Sequence, residues 1–99
     1  MPLSRFDYEQ MEAIARRIEQ RGADLEAYLE RVARFAQSLE ERCRSPFADA
    51  VVARHGEWAL RGRELAQSLK ALGADLARIA ESQRAAEEQE GARFAHLPQ

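Results

Sequence analysis

The sequence predicts an all-α protein, an antiparallel two-helix hairpin that dimerises into a four-helix bundle. Apolar residues recur at alternating gaps of three and four along two long stretches, which is the pattern of an amphipathic helix in a bundle. Only 5 Gly and 3 Pro occur in 99 residues, and Ser45-Pro46 separates the two stretches. We therefore expect one domain over residues 1–99, with helix 1 at about 7–43, a turn at about 43–46, helix 2 at about 46–90 and a flexible tail at about 91–99.

The predicted turn follows from the proline. A proline pushes the preceding residue out of the α region, which suits Ser45 to be the N-cap of a second helix. Pro46 then occupies the first helical position, where its missing N–H costs nothing. A link of two or three residues leaves the second helix no direction except back along the first.

The first helix is expected to begin with Asp7 as its N-cap, with Gln10 returning the bond and Phe6 packing on Met11. From Met11 to Cys43 the apolar stripe is interrupted only around Gly22. A second, thinner apolar row lies beside it, so we expect this helix to contact more than one neighbour.

In the second helix, the same spacing runs from Phe47 to Ala86. Gly62 falls on the stripe, which predicts a bulky residue opposite it, and Gly91 is the predicted end of the helix. The large members of the two stripes form the predicted core and dimer interface: Ile14, Ile18, Leu25, Tyr28, Leu29, Val32, Phe35, Leu39, Trp58, Leu65, Leu69, Leu72, Leu76 and Ile79.

Composition argues against several functional classes. The formal charge of -2 gives no field that would attract nucleic acid. The start of the chain has no apolar segment of the kind a secretory signal peptide needs, and nowhere do about 18 apolar residues run together, so we expect no stable membrane insertion. Cys43 is alone, which excludes an intrachain disulfide but leaves a bridge between two copies open.

No catalytic, cofactor-binding or metal-binding residues are predicted. His55 and Trp58 are the residues most worth weighing, and each has a simpler explanation. We expect Trp58 to be buried in the core or an interface, and His55 to be a partly buried histidine with no nucleophile beside it. A two-helix rod offers no deep cleft for a substrate, so we expect the protein not to be an enzyme.

Four segments, taken in their order and spacing, resemble the WXG (ESAT-like) family of helical-hairpin proteins of type VII secretion. They are residues 7–15, 46–50, 57–58 and 84–88, which spread the likeness over nearly the whole chain. The resemblance implies a hairpin that pairs into a four-helix bundle, as a homodimer or with a sister protein. It also implies handling by the membrane-bound type VII secretion ATPase, with a location in the cytoplasm before export.

The chain departs from the family at both signature motifs. Cys43-Arg44-Ser45, just before Pro46, stands where the family has Trp-X-Gly. Gln83 stands where the export signal has its tyrosine, while Glu87 keeps the acidic half of that signal. The resemblance therefore implies an exported substrate, or a dimerisation partner or adaptor for one. The alternative is a cytosolic helical dimerisation module with no secretion role, and a membrane-active helical protein ranks third.

Overall fold

The chain forms two long helices that pack against each other along their length. A computed structural model describes residues 3–95, in which α1 spans Arg5–Arg42 and α2 spans Pro46–Ala95. The rod measures 82 × 17 × 16 Å, and the described residues contain no strand. The all-α hairpin is confirmed.

The N-terminus of α1 begins two residues earlier than expected. Ser4, not Asp7, is the N-cap: the Ser4 hydroxyl accepts a bond from the backbone N–H of Asp7 at 3.1 Å. The Asp7 carboxylate in turn accepts from the backbone N–H of Ser4 at 3.0 Å, which closes a capping box. The bond from the Ser4 backbone N–H lowers the pKa of Asp7, and a second bond that the Ser4 hydroxyl donates to the same carboxylate at 2.8 Å lowers it further. The prediction that Asp7 is the N-cap was therefore wrong, and the true cap lies three residues, or about one helical turn, earlier.

The turn matches the prediction. The backbone N–H of Ala48 donates to the Ser45 hydroxyl at 3.2 Å, and that of Asp49 donates to the Ser45 carbonyl at 3.0 Å. Ser45 thus caps α2, and Pro46 is its first residue. At the other side of the turn, Cys43 ends α1 with its N–H bonded to the Leu39 carbonyl at 2.9 Å.

The end of α2 differs from the prediction. Gly91 was expected to stop the helix, but α2 continues through it to Ala95 and reaches 50 residues. A glycine that ends a helix normally adopts positive φ, and no described glycine does so. The predicted tail thus begins as helix, and residues 96–99 lie outside the described part of the chain.

The seam between the helices is built from small residues, which corrects the predicted core. Apart from Tyr8, its buried residues are all alanine or glycine: Ala15, Gly22, Ala36, Ala48, Ala59, Ala66, Gly73 and Ala80. A Cβ added to Gly73 would lie 2.6 Å from the Ala15 carbonyl oxygen and 2.8 Å from the Glu19 nitrogen. The two backbones therefore nearly touch, and Gly22, taken as an interruption of the stripe, belongs to the contact itself.

One side of the hairpin is polar. Lys70 of α2 bonds Glu26 of α1 at 3.0 Å across the seam. Arg63 and Glu30 line a shallow cleft on the same side. We call this side the polar face, and it leaves the opposite side for the large apolar residues.

Candidate interaction surface

The large apolar side chains of both helices lie on one long side of the hairpin, which we call the apolar face. Ile14 and Ile18 of α1 and Leu69 of α2 line one hollow of about 240 Å³, together with Arg17 and Arg21. Spacings of three, four and seven residues along each helix place the other members on the same side as these. The face consists of Met11, Ile14, Ile18, Leu25, Tyr28, Val32, Phe35 and Leu39 in α1, and Val51, Trp58, Leu65, Leu69, Leu72, Leu76 and Ile79 in α2.

None of these side chains is buried in the hairpin. Seven are exposed: Ile14, Tyr28, Phe35, Trp58, Leu65, Leu72 and Ile79. The other members are half-buried beside the seam. The sequence therefore identified a common face, but the partner helix of the hairpin does not cover it.

Leu29 is the one predicted interface residue that belongs to the seam instead. A Cβ added to Gly62 would lie 2.7 Å from the Leu29 Cδ1 atom. This confirms the expectation that a bulky side chain lies opposite Gly62. The leucine fills the space that the missing side chain leaves.

Contacts at the glycines fix which residues of the two helices lie at the same height. Gly73 meets both Ala15 and Glu19, so it lies level with the middle of that turn of α1. Gly22 likewise meets both Ala66 and Lys70. Because the helices are antiparallel, each step along α1 matches a step back along α2, so that Arg21 is level with Leu69 and Leu25 with Leu65.

Trp58 is the most exposed side chain of the apolar face, at 73%. The expectation of burial in the hairpin core was wrong, and burial at an interface stays a prediction. His55, one turn earlier, is half-buried. Within the described residues, no group of three or more His, Cys, Asp or Glu side chains is arranged to hold a metal ion.

The turn exposes the residues that the sequence analysis aligned with the Trp-X-Gly motif of WXG proteins. Cys43 and Arg44 are exposed, and the Cys43 thiol lies 3.7 Å from the Ser45 hydroxyl. Arg44, Ser45 and Pro46 border an open polar cleft of about 690 Å³ with Glu40 and Asp49 among its walls. This end presents polar groups where a Trp-X-Gly turn would present an aromatic ring.

At the open end of the hairpin, which lies opposite the turn, Glu87 of α2 connects to the segment where α1 begins. Its carboxylate accepts from the backbone N–H of Leu3 at 3.5 Å and lies near Tyr8. Tyr8 is only 3% exposed, and its hydroxyl has no partner in hydrogen-bonding geometry among the described residues. Burial raises the pKa of Tyr8 to about 12, and Glu87 adds to the rise. Gln83 is exposed and takes no part in this cluster.

Sequence reasoning missed the small residues that hold the hairpin together. Ala15, Gly22 and Ala36 lie in one seven-residue series, in which the predicted Leu29 stands between Gly22 and Ala36, and Ala59, Ala66, Gly73 and Ala80 lie in another. That repeat was visible, but attention to large side chains passed over it. Tyr8, seven residues before Ala15, was also missed, because the predicted stripe began at Met11.

No protein-family profile, no curated protein and no solved structure matches this chain. The likeness to WXG proteins therefore rests on the four segments described above. In the described residues, neither helix combines the length and the apolar character needed to cross a membrane.

Proposed function

We propose that this chain is an assembly module whose apolar face docks onto a second helical hairpin to form a four-helix bundle. We further propose that it serves type VII secretion as a WXG-like component, either exported or acting as the mate of an exported protein. The resemblance supports the secretion role, and the geometry of the hairpin supports the assembly role.

The observation that carries the assembly role is the inversion between buried and exposed residues. The side chains buried in the hairpin are nearly all Ala or Gly, while Trp58 and six other large residues of the apolar face are exposed. A soluble monomer rarely leaves so long an apolar surface in contact with water. A second hairpin laid on this face would supply the missing half of a core.

The size of the face suits a stable interface. A side 82 Å long and about 16 Å wide has a footprint of roughly 1,300 Å², compared with about 800 Å² per partner in a standard interface. Burying one large apolar side chain contributes roughly 1.5–3 kcal/mol. Several such side chains together exceed the cost of association.

Sedimentation velocity at micromolar concentration tests the assembly role. We expect a dimer, or a chain that needs a co-expressed mate to stay soluble. A stable, soluble monomer without a mate would contradict the proposal.

An export assay in the native host tests the secretion role. The chain should appear in the medium, alone or with its mate, only when the type VII secretion ATPase is active. Comparison of wild type with Gln83→Tyr and Glu87→Ala then asks whether this chain carries the signal. If export of the wild type is weak and Gln83→Tyr restores it, the chain is the mate. If the amount of chain in the medium depends neither on the ATPase nor on the mate, the module has no secretion role.

A further inference from the structure

We propose that the mate is a second copy of this chain, laid antiparallel on the apolar face, with Arg21 of each copy paired to Asp24 of the other. This inference rests on the proposed four-helix bundle and adds to it the partner, the direction and the register. A two-fold axis level with Ala23 generates the arrangement.

The hollow on the apolar face sets the register. Its α1 wall consists of Ile14, Arg17, Ile18 and Arg21, which is the set of four residues that forms a hole for one knob from a facing helix. Tyr28 is 56% exposed and extends from the same face two to three turns further on. A two-fold rotation around an axis at the height of Ala23 places Tyr28 of each copy at the height of the hollow in the other copy.

The same axis gives the charged side chain of Arg21 an acidic partner on the second copy. Between Met11 and Leu39, Arg21 is the one charged side chain in the two apolar rows of α1, and a charge inside a core needs a partner. With the axis at Ala23, Asp24 of the second copy lies within one residue of the height of Arg21. In the free hairpin Arg21 lies 3.9 Å from Asp24 of its own chain, and their side chains are 79% and 53% exposed, so both can turn to the mate.

The charges at the edges of the face favour the antiparallel direction. It brings Asp7 towards Arg42 of the other copy, and Arg61 towards Asp75. In a parallel pair, Arg61 would instead lie at nearly the same height as Arg31 of the other copy, which places two like charges together.

The antiparallel pair contains two contacts between like charges. The Asp24 carboxylates of the two copies lie two residues apart in height, with Arg21 of each chain beside them, and Arg17 faces Arg31 of the other copy. The Arg31 guanidinium lies 5.8 Å from the centre of its own Tyr28 ring, and this cation–π contact gives the charge a position away from Arg17. In a parallel pair, by contrast, Arg21 would lie at the height of Leu69 and beside Ser68 of the other copy, where it would have no acidic neighbour.

A mixing experiment tests the Arg21–Asp24 pair. Arg21→Asp and Asp24→Arg each place like charges together, both within the chain and across the axis. Each variant alone should dissociate at least about tenfold more readily than wild type. Mixed together, they should form heterodimers well above the half expected at random, because each Asp then meets an Arg of the other chain. Native mass spectrometry of the mixture counts the three species.

A matched pair on the polar face is the control. Arg16→Asp and Glu19→Arg carry the same charge changes at the same spacing, and both wild-type residues are exposed. They should dimerise like wild type and mix at random. Random mixing of the Arg21 and Asp24 variants, or failure of the mixture to regain dimer, would overturn the inference. A monomeric wild type would instead overturn the proposed assembly role.

The native cysteine measures direction independently. Cys43 is exposed, so spin labels can be attached to it without any substitution. Counted from Ala23 at 1.5 Å per residue, the two labels should lie about 60 Å apart in the antiparallel dimer. A distance near the 16–17 Å thickness of one hairpin would show a parallel dimer and refute the arrangement.

Discussion

Replacing Gly73 by alanine should destabilise the hairpin, although alanine is the better helix former. Two effects of opposite sign compete at this position. Alanine inside a helix is favoured over glycine by about 1 kcal/mol. Against this, the new methyl group would lie 2.6 Å from the Ala15 carbonyl oxygen and 2.8 Å from the Glu19 nitrogen. Both are backbone atoms, which cannot rotate away.

The magnitudes decide the sign. Overpacking a close contact costs about 1–3 kcal/mol. Because the added methyl group at Gly73 would meet backbone atoms, its cost lies at the upper end of that range. After the gain in helix propensity, Gly73→Ala should lower the free energy of unfolding by about 1–2 kcal/mol. Gly56→Ala is the control, since nothing lies within 4 Å of its added methyl group. That variant should raise the free energy of unfolding by about 1 kcal/mol.

Urea unfolding followed by circular dichroism measures both effects. All variants are compared at one protein concentration, because the stability of the proposed dimer would depend on that concentration. The two variants should differ by about 2–3 kcal/mol. Gly62→Ala should fall between them, because its nearest neighbour is the mobile end of Leu29 at 2.7 Å. If Gly73→Ala is as stable as Gly56→Ala, the helices lie further apart than described and the small-residue seam is wrong.

Three further predictions concern the cap, the apolar face and the open end. Ser4→Ala removes the acceptor of the capping box and should cost about 1 kcal/mol in thermal or urea unfolding. Leu72→Glu should weaken dimerisation by at least about tenfold in sedimentation equilibrium without loss of helicity, whereas Leu60→Glu, on the other side of α2 and 61% exposed, should not. In Tyr28→Phe, where Tyr8 is the one tyrosine left, tyrosinate absorbance should appear near pH 12, not near 10. Because folding raises this pKa, its contribution to stability is present below pH 10 and is lost as the pH rises towards 12.

The turn could be predicted from the sequence because local chemistry determines it. Ser45 and Pro46 restrict their own backbone, whatever the rest of the chain does. The start of α1 was predicted from Asp7 with Gln10, whereas the cap that forms is Ser4 with Asp7, three residues earlier. In that cap, the side chain of each residue bonds to the backbone of the other.

Gly91 shows the limit of a signal that depends on conformation. A glycine ends a helix when it adopts positive φ, and the sequence does not say whether it will. Here the glycine stays helical, at the cost only of the lower helix propensity of glycine. The glycine alone therefore does not determine where α2 ends.

The core could not be assigned because periodicity gives a face and not a distance. The stripe in each helix contains large and small residues side by side, and a sequence does not show which of them the nearer neighbour covers. Helices about 8–10 Å apart would bury the large residues. The close contacts at Gly22 and Gly73 instead bring small residues together and leave no room between the helices for side chains such as Leu65.

The small-residue seam and the apolar face are consequences of one another. Alanine and glycine release little apolar area on burial, so the seam alone stabilises a hairpin of this length weakly. The close approach that these residues permit also turns the large side chains of both helices to the same side, where they form one continuous surface. A second hairpin would therefore supply most of the buried apolar area of the fold. If so, folding and assembly are coupled, and substitutions such as Leu72→Glu should lower the unfolding midpoint most at protein concentrations where the wild type is dimeric.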